Sequence, residues 1–158
     1  MAPRLTLEQV REGDALPELA VDVTATTVVL GALAARDWRP MHHDKDFAVE
    51  RNGTRHIFIN TPHNAAYFER YVTDWTGPYG RLARIKFRMR DSVFPGDRMV
   101  FHGRVDKTEK DATGCGFAWL SLWLSVGDKT TTECSARVAL PTAAGDNPWA
   151  RRGDAWRP

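Results

Sequence analysis

Thr61-Pro62-His63-Asn64-Ala65-Ala66-Tyr67-Phe68-Glu69-Arg70-Tyr71-Val72-Thr73-Asp74-Trp75 sets Ala65, Ala66, Phe68, Tyr71, Val72 and Trp75 at near-helical spacing, so one helix face is apolar. Thr61 reads as the N-cap with Pro62 at the first helical position, and Gly77-Pro78 stops the run. Beyond it the pattern turns to strands over residues 84–90, 99–106, 115–125 and 130–140. Phe94-Pro95-Gly96-Asp97 reads as a turn, Lys107-Thr108-Glu109-Lys110-Asp111 with Gly114 as one hairpin loop, and Gly127-Asp128 as another. Upstream, residues 16–24 alternate as a first strand, and Thr24 or Thr26 caps the apolar run 28–35 as a helix. Residues 44–50 read as a short helix, Asn52-Gly53 as a turn and 55–60 as extended. One long helix followed by antiparallel strands is an α+β pattern that permits a curved sheet wrapped around a central helix.

The first helix delivers Asp37 into Asp37-Trp38-Arg39-Pro40-Met41-His42-His43-Asp44. Pro40 keeps the residue before it extended, so Asp37 and His42 do not share a helix face but can curl toward each other across a tight loop. An acid and an imidazole converging on one point can hold and activate a water. The bland reading of a lone aspartate here is a cap on the following turn.

The 158 residues fit about one domain. Twenty-two basic against 20 acidic residues leave a formal charge of +2, too even a balance for a nucleic-acid footprint, though it does not penalise an anionic ligand. There are two cysteines, Cys115 and Cys134; the N-terminus lacks a long apolar run and no stretch reaches about 18 apolar residues. A reducing, cytoplasmic setting is therefore expected, with neither secretion nor a membrane span. His42, His43, His56, His63 and His102 show no recognised zinc spacing, so no metal is expected. No internal repeat is visible, and residues 1–141 read as one domain. Residues 142–158 lack periodicity and read as an extended tail, with Trp149 and Trp156 available to dock on a partner.

The octet resembles the Asp-x-x-Pro-x-His-x-Asp signature of the MaoC-like hydratases, the (R)-specific enoyl-CoA hydratases of the hot-dog fold. Ala34-Ala35-Arg36-Asp37, His42-His43-Asp44, Ile57-Phe58-Ile59-Asn60 and Arg70-Tyr71-Val72-Thr73-Asp74-Trp75 are similar to the small MaoC-like subunit of actinobacterial steroid side-chain degradation. The likeness runs over residues 15–141 and implies a single hot dog, a curved antiparallel sheet around a central helix. It further implies hydration of an enoyl-CoA thioester, a bulky steroid one by the small-subunit likeness, with coenzyme A as part of the substrate and no separate cofactor. A second, larger MaoC-like subunit would complete a heterotetramer of two small and two large chains, the large one also engaging a thiolase-like retro-aldol enzyme. A hot dog alone exposes an edge and a face that a partner covers, so assembly is expected, with homodimerisation as the alternative.

Carried over residue by residue, the resemblance makes Asp37 and His42 the catalytic pair. His42 would take and return the proton, imidazole being the side chain that titrates nearest neutrality, while Asp37 orients water and ring. The oxyanion donor would be the backbone N–H of Thr61 at the start of the central helix. Two positions depart from the family pattern: Arg39 stands where asparagine is usual, and Asn60-Thr61 where His-Gly is usual. Arg39, Asn60 and His63 are the candidate substrate contacts. Arg39 has three readings: a phosphate of coenzyme A, a carboxylate on the partner, or a solvated surface position. His43 reads as structural or exposed, and Asp74 and Trp75 as helix-end packing. Two other classes compete with the hydratase. A hot-dog thioesterase would need a carboxylate such as Glu69 on the central helix, and a noncatalytic partner subunit would have no need for both Asp37 and His42.

Overall fold

Strand alternation decides which side chains make the core. In the computed structural model, which describes residues 5–158, strand β4 (Gly116–Val126) turns Ala118, Leu120, Leu122 and Leu124 inward and Trp119, Ser121, Trp123 and Ser125 outward. Strands β3 (Arg98–Lys110) and β5 (Lys129–Leu140) flank it with Met99, Phe101 and Val105 on one side and Thr132, Cys134, Ala136 and Val138 on the other, all buried. Strand β1 (Ala15–Asp22) pairs with β3 and β2 (Arg81–Met89) with β5, giving a five-stranded antiparallel sheet in the order β1-β3-β4-β5-β2.

Helix α3 (Thr61–Thr76) presents Asn64, Phe68, Tyr71, Val72 and Thr76 to the concave face of this sheet. Phe68, wholly buried, meets Phe101 edge-on at 5.1 Å and Phe87 in a stack at 6.4 Å. Burial of one such ring contributes about 1.5–3 kcal/mol. Gly77, at φ 71, ends the helix in a conformation that side-chain-bearing residues rarely adopt. Helix α1 (Ala25–Ala34) lies against α3, and helix α2 (Lys45–Glu50) follows a 3-10 turn at Pro40–His42. This is the hot-dog arrangement: one helix held in a curved antiparallel sheet.

Three local expectations change. Helix α3 begins one residue early, because the Asn60 side chain accepts from the His63 N–H and so takes the cap from Thr61. The charged run at 107–110 is strand rather than loop: its backbone pairs with residues 116–119, and Lys107 reaches Glu109 on the outer face. The turn shrinks to residues 111–115, where Asp111 accepts from Thr113 and Cys115 N–H groups.

Residues 142–158 fold back on this chain's own sheet in two 3-10 turns, Pro148–Ala150 and Gly153–Ala155. The Arg81 guanidinium lies 3.6 Å from the Trp156 ring centre and donates to the Pro148 and Arg151 carbonyls. Trp149 donates to the Gly80 carbonyl, and Trp156 packs on Phe117, an outer-face ring that also lies under the Arg137 guanidinium and is fully buried. Both tail tryptophans are thus engaged within the chain. No helix among the described residues is long and apolar enough to cross a membrane.

Candidate active site

Asp37 leaves α1 through a tight C-terminal cap. The Asp37 N–H donates to the Ala32 carbonyl and the Arg36 N–H to Leu33, the paired bonds of a Schellman motif. That motif needs a left-handed residue, and Arg36 fills the position at φ 52 where glycine is usual. The cost is about 1–3 kcal/mol, retained beside the site where it fixes the exit of the chain. Arg39 is extended before Pro40, as the proline requires, and the 3-10 turn then carries His42 back toward Asp37. Asp44 ends the octet by capping α2 at the Phe47 N–H.

The two residues meet. His42 Nε2 lies 3.6 Å from Asp37 Oδ2, and the residue is only 2 % exposed. Its other nitrogen, Nδ1, lies 2.8 Å from the Phe58 carbonyl oxygen. A carbonyl can only accept, so Nδ1 carries the proton and, in the neutral ring, the lone pair is on Nε2, facing Asp37. Phe58 also meets the imidazole edge-on at 4.8 Å, holding the ring plane.

Asp37 is gripped by two residues. Arg39 places Nε 2.9 Å from Oδ1 and Nη2 2.8 Å from Oδ2, and its backbone N–H lies 3.4 Å from Oδ1. Asn60 Nδ2 donates to Oδ2 at 3.0 Å. The Arg39 hydrogen bonds hold the Asp37 carboxyl well below the usual carboxylate range; burial opposes them, Asn60 adds to them. Arg39 therefore does not reach out to a ligand in this conformation: its planar fork matches the nearer carboxylate within its own loop. Asn60, 1 % exposed, is not an open contact surface either; it ties the start of α3 to Asp37 with one end and caps the helix with the other. Thr61, next in line, is the first residue of α3, so its N–H has no partner within the helix.

His63 lies in the first turn of α3 and faces α1. A groove of about 560 Å³ runs between the two helices, with Leu30, Gly31 and Ala34 on one wall and Pro62, His63 and Ala66 on the other. Its walls, through Ala35 and Pro62, reach to within two residues of both Asp37 and Asn60 in the chain. Gly31 makes room for His63: a methyl group there would lie 1.8 Å from Nδ1. The ring stacks on Tyr67 at 4.7 Å, Nδ1 is buried without a hydrogen-bond partner, and burial pushes the imidazole pKa down. Leu30 (58 % exposed) and Trp38 (64 %) extend the apolar surface outward beside the site. The volume is within the range of small-molecule pockets.

The other candidates lie apart. His43 is exposed, with its ring near the Trp38 carbonyl; Glu69 is exposed; Asp74 pairs with Arg70, and Trp75 packs on the core. Among the described residues no cluster of three or more histidines, cysteines or acids is placed to hold a metal.

The chain is 39 % identical over 93 residues to the 3-oxo-4,17-pregnadiene-20-carboxyl-CoA hydratase beta subunit of Mycobacterium tuberculosis, a match covering 59 % of this chain and 71 % of that one. The chain belongs to the MaoC-like hydratase family. Among solved structures it resembles a chain of the ChsH1-ChsH2 complex from Mycobacterium tuberculosis, with TM-score 0.74 and 29 % identity over 82 % of this chain and 97 % of that one. The (R)-hydratase from A. caviae involved in PHA biosynthesis superposes with TM-score 0.74 over 85 % of this chain and 99 % of that one; at 20 % identity the likeness is one of fold. No protein-family model matches the sequence. Within the MaoC-like frame, Asp37, His42 and the start of α3 are the elements the geometry brings to one place. Phe58, whose carbonyl fixes the His42 tautomer, and Gly31, which admits His63, carry no sequence signal of their own: the first acts through its backbone, the second through an absent side chain.

Proposed function

We propose that this chain is the small catalytic subunit of an enoyl-CoA hydratase, adding water to the double bond of a 2-enoyl thioester. The observation that carries the reading is the His42 ring: buried, with Nδ1–H held on the Phe58 carbonyl and the Nε2 lone pair turned to Asp37. The 3.6 Å separation is too long for a direct hydrogen bond, and a water seated to one side of the pair would be the group they share. His42 Nε2 takes one proton from that water as its oxygen bonds to the β-carbon. The π pair moves onto the thioester, and the enolate oxygen is met by the Thr61 N–H at the positive end of α3. His42 then returns the proton to the α-carbon on the same face, giving a 3-hydroxyacyl thioester by syn addition. Asp37 orients the water and faces the imidazolium while it exists.

The groove between α1 and α3 would take the acyl group. Its apolar walls and volume suit a bulky acyl chain, in keeping with the pregnadiene carboxyl-CoA named for the Mycobacterium tuberculosis relative. A second subunit is the expected partner, in keeping with the two-component ChsH1-ChsH2 complex; the family resemblance makes that partner MaoC-like and, through it, adds a retro-aldol enzyme of thiolase type. The test is loss of enoyl-thioester absorbance with the chain co-purified with a MaoC-like partner, comparing a steroid and a short-chain enoyl-CoA. Hydration of the steroid thioester in preference to the short one supports the reading. Hydration of the short one alone refutes the bulky acyl group, and silence on both with hydrolysis of a saturated acyl-CoA would make the protein a thioesterase.

A further inference from the structure

The Asp37 carboxylate has no room for the water the reaction needs. An ionised carboxylate offers about four lone-pair positions. Here Oδ1 receives the Arg39 Nε and, more weakly, the Arg39 backbone N–H, while Oδ2 receives Arg39 Nη2 and Asn60 Nδ2. Oδ2 is the oxygen that faces His42 Nε2, so a bridging water requires one of its two donors to leave. Asn60 is pinned, since it is buried and its other atom caps α3. The Arg39 side chain is free to move: it is 61 % exposed, and among the described residues its guanidinium bonds only to Asp37. Around Asp37 the groups that bear on its charge are Arg39 from the loop, His42 from the 3-10 turn and Asn60 from α3.

We propose that Arg39 is a latch on Asp37 which the phosphates of the coenzyme A substrate open. A guanidinium fork fits a phosphate as well as a carboxylate, so the exchange keeps a bidentate ion pair and trades one partner for another. Its departure frees the Oδ2 position beside His42, and water then binds between them. Asp37 is thereby made available only when a phosphate-bearing thioester is in place. The proposal rests on the hydratase reading above, and it adds a positioning residue that recognises the far end of the substrate, so that binding energy remote from the reacting carbons appears in kcat.

The test has two arms. In the first, the complex of this chain with its MaoC-like partner hydrates a coenzyme A thioester and the matching N-acetylcysteamine thioester, which lacks phosphate. Wild-type kcat should fall about a hundredfold or more on the truncated substrate, the usual scale for withholding an acid-base group, whereas Arg39→Gln should turn over the two thioesters with kcat values within a few-fold of each other. Equal wild-type kcat on both substrates overturns the latch, as does an Arg39→Gln variant that retains the hundredfold gap. In the second arm, the Arg39 Nε–H resonance of the labelled complex, assigned by its loss in Arg39→Gln, is followed on adding coenzyme A or pantetheine. Coenzyme A should move it and pantetheine leave it in place. No change at saturating coenzyme A overturns the proposal; so does a resonance already displaced by the partner subunit before any ligand is added. A coenzyme A shift without hydration of any thioester would sink the hydratase reading while leaving the latch standing.

Discussion

Asn60→Ala removes two bonds made by one buried side chain, and their sizes can be stated separately. The cap on the His63 N–H is worth about 1 kcal/mol. The hydrogen bond from Nδ2 to the ionised Asp37 at 3.0 Å is worth about 1.5–3 kcal/mol. Together the loss should be about 3 kcal/mol, which for a domain of this size lowers the thermal midpoint by about 6–12 °C. Asn60→Asp separates the two effects. Aspartate caps as well as asparagine does, but it sets a second carboxylate where Nδ2 now lies, 3.0 Å from Asp37 Oδ2. Two carboxylates that close cannot both ionise freely, so one of them acquires a folded pKa above its unfolded value near 4. A raised carboxylate pKa means stability present at low pH and lost as pH rises through the folded value. Asn60→Asp should therefore lie nearer to wild type at pH 5 than at pH 8 in urea titrations, while the Asn60→Ala deficit stays nearly constant over that interval. An Asn60→Ala loss below about 1 kcal/mol, or an Asn60→Asp deficit that does not grow with pH, would refute the claim that this residue ties the helix cap to the acid.

Gly31→Ala gains helix propensity of about 1 kcal/mol but drives a methyl group into His63, so the single variant should be destabilised and the double variant with His63→Ala should recover; thermal midpoints across the four-member cycle read the coupling. Because Arg39 holds the Asp37 carboxyl below its ordinary range, the pair stabilises the fold above the unfolded pKa near 4, and that contribution disappears as pH falls toward the folded value. The gap in urea midpoint between wild type and Arg39→Gln should accordingly be present at pH 6 and close below pH 4. Trp156→Ala removes the ring beneath Arg81 and one of the groups packed on Phe117, so limited proteolysis should release residues beyond 141 while the sheet stays resistant.

The fold was legible wherever side-chain period and burial coincide. The stripe through Phe68, Tyr71 and Val72 and the alternation through Leu120, Leu122 and Leu124 are each set by which face meets the core, and both appear in the structure as read. The errors came where a local signal had a competitor. Thr61-Pro62 is a good cap and first turn, but Asn60 reaches the same helix end and has a second bond to Asp37 to hold it there. The run at 107–110 is charged enough for a loop, yet cross-strand backbone pairing fixes it as strand with its charges on the outer face. The meeting of Asp37 with His42 was foreseeable from proline and spacing. The grip of Arg39 on Asp37 was not, because sequence gives no means of choosing between a ligand and a carboxylate two residues away. The tail tryptophans posed the same difficulty: aromatic residues without periodicity announce a contact surface but not whether it lies on this chain or another.

The central claim is that Asp37 and His42 together perform proton transfer on a thioester. The most direct measurement is kcat for hydration by complexes carrying Asp37→Asn or His42→Gln, each with its thermal midpoint. Both variants should assemble and unfold cooperatively while kcat falls about a hundredfold or more, as loss of an acid-base group requires. A variant that stays folded and hydrates within tenfold of wild type would contradict the claim and leave this chain as a wall of its partner's site.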